Sequence, residues 1–129
     1  MTNKIVFVPQ ADPMKGPRPP EIREVDLTLE TMQELVGGYL ECVALDYKDD
    51  TAIYMWINEE GRLIGLFPNR IVQRPLDDAK FPIRGDFFIA ATDDNGEDIG
   101  LTDAQAEEWL MRMNQATVGC VSAPGMGEA

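Results

Sequence analysis

The sequence predicts an α+β fold: a small antiparallel sheet meander, with a short helix over about 28–37 and a C-terminal helix over about 103–114 packed on it. Three observations carry this expectation. Short β-branched and aromatic runs recur between turn signals, two segments switch to a helical period, and each of those segments is bracketed by its own capping residues. No internal repeat is present, and 129 residues fit one domain over 1–115 followed by a flexible tail over 116–129.

Lys4 to Val8 is β-branched and aromatic, as a strand should be. Residues 9–20 contain five of the nine prolines together with Lys15 and Arg18, which predicts an extended loop without ladder hydrogen bonds. Glu21 to Asp26 reads as a short strand with Ile22 and Val25 partly buried. Thr28 is a helix N-cap, Glu30 puts negative charge in the first turn, and Leu29, Met32, Leu35 and Val36 form one apolar stripe. Gly37 and Gly38 stop that helix.

Strands follow at Tyr39 to Tyr47 and Thr51 to Ile57. Asn58-Glu59-Glu60-Gly61 is expected to turn the chain into an antiparallel return over Arg62 to Phe67, and Pro68 to Pro82 to be irregular. Asp86 to Ala91 is a strongly apolar strand, Asn95-Gly96 signals a type I′ turn, and Ile99 to Leu101 is the short return. Thr102 and Gln105 form a capping box, with Leu101 stapled to Ala106. Ala106, Trp109, Leu110 and Met113 recur at the spacing of one helical face. Met55-Trp56 and Phe87-Phe88 place large side chains on both sides of a sheet, because neighbouring strand residues point oppositely.

Charge narrows the function classes. Twenty-three acidic residues face eleven basic ones with no histidine, a formal net charge of −12. That sign opposes direct nucleic-acid binding, and a chain without histidine builds neither a Ser-His-Asp nor a Cys-His nucleophile pair nor an imidazole-ligated metal site. Catalysis and a cofactor are therefore not expected. No run has membrane-spanning length. Cys42 and Cys120, far apart and without CxxC spacing, read as free thiols in a reducing cytoplasm, Cys42 as a buried strand residue.

Three stretches together point to a family. Leu27 to Glu41 with its Val36-Gly37-Gly38-Tyr39 block, Asn58 to Leu66 ending at Asn69-Arg70, and Gly85 to Ile89 resemble the uncharacterised domain family 3846 over roughly Ile5 to Asp103. The chain differs from the usual pattern in Phe67, in a longer proline loop, and in what reads as an added acidic hairpin and helix. Members of that family occur in bacteriophages and bacterial mobile DNA, so the resemblance implies an accessory protein, found if phage-encoded in the host cytoplasm, and implies no known activity.

The acidity is local. Residues 1–85 carry fourteen acids against ten bases, whereas 86–129 carry nine acids against Arg112 alone. Asp93, Asp94, Glu97, Asp98, Asp103, Glu107 and Glu108 fall in one run without Lys or Arg, and such a hairpin and helix can present carboxylates over roughly 20 to 25 Å. Duplex DNA presents about one charge per 1.7 Å, so the segment is expected to bind a basic surface on a host protein, in the manner of a nucleic-acid mimic. The plainer account is a solvated face that confers solubility. Asp93, Asn95 and Glu97 have calcium-loop spacing, but Asp98 and Ala104 stand where that loop needs glycine and glutamate, and the turn explains them better.

A different class of function, a nucleotide or small-ligand module, would use Gly38, Tyr39, Glu41, Asn69 and Arg70. Against it, Gly37 is explained by the helix stop, and Asn69-Arg70 by a loop anchored through side-chain to backbone bonds. Pro17-Arg18-Pro19-Pro20 is either a polyproline ligand or a spacer. A structural or oligomer-forming protein is a third reading, and the sequence sets no oligomeric state.

Overall fold

The computed structural model describes residues 2–12, 14–48, 50–61 and 64–118. Among these residues nine strands and two helices follow one another as β1 (Asn3–Val8), β2 (Glu21–Val25), α1 (Leu29–Val36), β3 (Leu40–Lys48), β4 (Thr51–Asn58), β5 (Pro68–Gln73), β6 (Lys80–Arg84), β7 (Phe87–Thr92), β8 (Asp98–Ile99), α2 (Asp103–Gln115) and β9 (Thr117–Val118). All pairings are antiparallel. The larger sheet has the order β2-β1-β7-β4-β3 with β8 also on β7, and the smaller one the order β6-β5-β9. The α+β class is thus observed, with the late strand β7 inserted between β1 and β4.

Alternation along the central strands builds two cores on opposite sides of the large sheet. Val6, Val8, Ile53, Met55, Phe87, Ile89 and Ala91 face one way, where they pack with Val72, Ile83, Leu101, Ala106, Trp109 and Met113. Ile5, Phe7, Phe88 and Ala90 face the other way against Met32 and Val36, with Trp56 partly buried beside them. The small sheet and α2 therefore cover one face and α1 the other. Met55 and Trp56, like Phe87 and Phe88, divide between the two as expected.

Both helices start as their sequences dictate. The Thr28 side chain accepts from the Thr31 amide, and Gly37 at φ 76 closes α1 in the left-handed region. Thr102 and Gln105 exchange both bonds of the capping box, while Leu101 and Ala106 lie buried in the same core. Of the α1 stripe, Met32 and Val36 are buried, but Leu29 in the first turn is 62% exposed.

The chain departs from expectation after β4. Both edges of β4 are already occupied, by β3 and β7, so no return strand can pair with it. Instead the amides of Gly61, Ile64 and Leu66 donate to the carbonyls of Asn58, Glu60 and Gly61 respectively, which are local bonds and not a ladder with β4. Arg62 and Leu63 lie outside the described residues. The stretch expected to be irregular forms β5 and most of β6; its prolines are tolerated because Pro68 begins a strand and Pro82 lies on an edge strand. β3 carries a bulge between Ala44 and Asp46. Leu45 is fully buried there, and its carbonyl accepts from Leu76 at 3.3 Å, tying the large sheet to the loop that joins β5 to β6.

Smaller corrections follow from the same geometry. Ile22, on edge strand β2, is exposed rather than partly buried. Cys42 is exposed on edge strand β3 rather than buried. The turn after β7 is not type I′, because only Gly96 there has positive φ (80). Asp93 accepts from Gly96 and donates to Glu97, so this is a three-residue loop closed by a left-handed glycine. Thr117 and Val118, the start of the expected tail, pair with Ile71 and Arg70; residues 119–129, including Cys120, lie outside the described residues.

Candidate functional site

The acidic segment occupies the β7–β8 turn, β8 and the outer face of α2, and its carboxylates differ in what they do. Asp93 is structural, because its Oδ1 accepts from the amides of Asn95 at 2.9 Å and Glu97 at 3.0 Å. That also accounts for the calcium-like spacing; among the described residues no group of three His, Cys, Asp or Glu side chains is placed to hold a metal ion. Asp103 pairs with Lys4, and this hydrogen bond holds its carboxyl below the usual range. Glu108 pairs with Arg112 at 3.0 Å, one helical turn on.

Asp94, Glu97, Asp98 and Glu107 are exposed, and none has an ion-pair partner among the described residues. Burial pushes the Asp98 carboxyl upward. The Lys4 ammonium is pushed upward first by its hydrogen bond to Asp103, and also by the fields of Asp103, Glu24 and Glu107. Glu24 on β2 stands opposite Lys4 in the β1–β2 ladder, so it lies on the same side of the sheet as Lys4 and its partner Asp103. Sequence reasoning missed it because it lies some 80 positions from α2, joined to it only by the sheet.

The residues expected to form a ligand constellation are not brought together. Tyr39 and Glu41 are exposed at the start of β3, whereas Asn69 and Arg70 on β5 are buried. Asn69 Nδ2 donates to the carbonyls of Val8 at 2.9 Å and Gly85 at 2.8 Å. Arg70 donates from Nε to Met113 at 3.1 Å, from one terminal nitrogen to Asn69 Oδ1 at 3.1 Å, and from the other to the Arg18 carbonyl at 2.8 Å. Burial pushes the Arg70 guanidinium downward, and no carboxylate lies within 4 Å of it among the described residues. The pair is an internal anchor. Gly38 has a comparable role, because a Cβ there would lie 2.7 Å from Asn58 Nδ2, which bonds the Val36 carbonyl at the end of α1.

A groove of about 580 Å³ lies elsewhere, lined by Phe7, Pro9, Arg18, Pro19, Glu21, Arg23, Thr31, Glu34, Leu35 and Asp86. Its wall is the proline loop, in which Pro17, Arg18 and Pro19 are exposed and Pro20 is buried, and Arg18 is held at its carbonyl by Arg70 and at Nε by the Gln10 carbonyl. Lining residues dispersed over 80 positions left no local signal in the sequence.

The family model for Domain of unknown function (DUF3846) matches residues 8–114. The chain belongs to that family. No curated protein and no solved structure matches it. The matched region includes the acidic hairpin and nearly all of α2, so these are part of the DUF3846 domain rather than an addition to it. The fold agrees, because Trp109 and Met113 of α2 are buried in the same core as Val6 and Ile89.

Proposed function

We propose that this DUF3846 domain is a non-enzymatic accessory protein, of the kind carried by phages and mobile elements, that docks its acidic face on a basic surface of a host protein. The observation that carries this reading is the set of exposed carboxylates without cationic partners, Asp94, Glu97, Asp98 and Glu107, with Glu24 extending the same face across β2. Ordinary mixed surfaces intersperse the two signs, whereas here Lys4 and Arg112, the cations that contact the run in ion pairs among the described residues, are engaged by Asp103 and Glu108 respectively.

Such a face gains little from internal contacts and much from a partner that brings Lys or Arg to it. A host protein whose basic surface normally tracks phosphates is the complementary partner, and its occupation would redirect or block the host function, as counter-defence requires. The partner would be met in the host cytoplasm; no helix among the described residues is long and apolar enough to cross a membrane. The test is affinity capture from host lysate with the wild-type chain and with a variant carrying D94N, E97Q, D98N, E107Q and E108Q. The proposal expects a basic protein retained by the first and lost by the second; equal retention by both contradicts it.

A further inference from the structure

We infer that the groove beside the proline loop binds a small zwitterion, a free amino acid or short peptide, whose carboxylate meets Arg18 and whose ammonium meets Glu34. Its floor is the β1–β2 ladder, where Phe7 is paired with Glu21 and Ile5 with Arg23, so that Phe7, Glu21 and Arg23 share the side occupied by α1. The proline loop, through Pro9, Arg18 and Pro19, makes one wall, and α1, through Thr31, Glu34 and Leu35, makes the other. A volume of about 580 Å³ is in the range of small-molecule sites.

The charges within it are unequally engaged. Arg23 stacks on the Phe7 ring at 4.0 Å and pairs with Glu21, so both are satisfied internally. Among the described residues Arg18 donates only from Nε, to the Gln10 carbonyl, and its carboxylate contact is Asp86 at 4.0 Å, whose oxygen already accepts from the Gln10 amide at 2.7 Å. Glu34 has no hydrogen-bond or ion-pair partner among the described residues. A largely free guanidinium fork and a free carboxylate thus stand on opposite walls of one cavity, whose lining also offers apolar Pro9, Pro19 and Leu35. Carboxylates outnumber guanidiniums three to two in the lining, which disfavours a dianion such as a nucleoside monophosphate.

The walls are held from behind. Asn69 and Arg70 fix the carbonyls of Val8, Gly85 and Arg18, which flank or belong to Phe7, Pro9, Asp86 and Arg18 of the lining. Preorganisation of that kind lowers the ordering cost of binding. The acidic face is carried by other residues, so this inference does not depend on the proposed docking function.

The test is calorimetric titration of the full chain with a set of dipeptides spanning apolar, polar and charged side chains. Each is presented with free termini, N-acetylated, and C-amidated, and adenosine monophosphate serves as comparator. Saturable binding of at least one free dipeptide is expected, weakened about tenfold or more by either cap. R18Q should abolish the penalty of amidation alone, and E34Q the penalty of acetylation alone; both side chains are exposed, and circular dichroism checks that the variants fold. No saturable binding at about 10 mM, indifference to capping, or tighter binding of adenosine monophosphate would each overturn the assignment.

Discussion

Arg70 donates to the carbonyl of Arg18 at 2.8 Å, so a buried guanidinium on β5 holds a proline loop that is 52 positions away in the chain. With Asn69 it joins that loop to the ends of β1, β6 and α2. R70M keeps most of the apolar stem and removes all five donors, leaving the Met113 and Arg18 carbonyls without a protein partner. A loss of about 2–4 kcal/mol is expected, read by urea unfolding as a lower midpoint with unchanged slope. A loss below about 1 kcal/mol would show that the anchor is dispensable.

Gly38 and Asn58 form a second such relationship. In G38A the new Cβ would lie 2.7 Å from Asn58 Nδ2, and the asparagine cannot retreat without releasing the Val36 carbonyl. G38A is expected to cost about 1–3 kcal/mol, and G38A/N58A less than the sum of the single variants, by a coupling of about 1 kcal/mol or more. Strict additivity would contradict the contact.

The capping box at Thr102 gives a local prediction. T102A leaves the Gln105 amide without its acceptor and should lower stability by about 1 kcal/mol. Because α2 closes the larger core, the loss should appear in global unfolding; amide exchange confined to the first turn of the helix would contradict this.

Arg74 grips Asp77 with two bonds, Nε to Oδ1 at 2.9 Å and a terminal nitrogen to Oδ2 at 2.8 Å. First through that hydrogen bonding, and then through the Ala79 amide, the Asp77 carboxyl is lowered from 3.8 to about 2. A folded-state value below the unfolded one stabilises the fold above the unfolded value, and the contribution is lost as pH falls through the folded value. The stability difference between wild type and D77N should therefore be constant above about pH 5 and shrink between about pH 4 and 2. A difference independent of pH over that window would contradict the pairing.

Local chemistry was legible in the sequence, and non-local pairing was not. Thr28, Gly37, Thr102 and Gln105 act within one turn of chain, and the elements they bound lie where capping rules put them. The return strand expected after Gly61 failed because hairpin chemistry at Asn58 to Gly61 does not show that β4 already has two neighbours, one of them β7 from 30 positions later. β5 and β6 were hidden by their prolines, which read as breakers until the strand start and the sheet edge are known. Asn69 and Arg70 stood out as polar residues that could bind something. They do bind, but to backbone carbonyls of distant segments, and the groove they support collects residues from Phe7 to Asp86 that no spacing rule connects.

The central claim, that the acidic face docks on a basic partner, is tested most directly by the salt dependence of affinity for a captured host protein, measured by titration calorimetry from low to high ionic strength. Contacts among exposed charges are screened over about 8–10 Å at physiological salt. The account predicts affinity that falls steeply and steadily with added salt, competition by duplex DNA, and a shallower salt slope once Asp94, Glu97, Asp98 and Glu107 are neutralised. Affinity independent of salt, and unchanged by those substitutions, would contradict it.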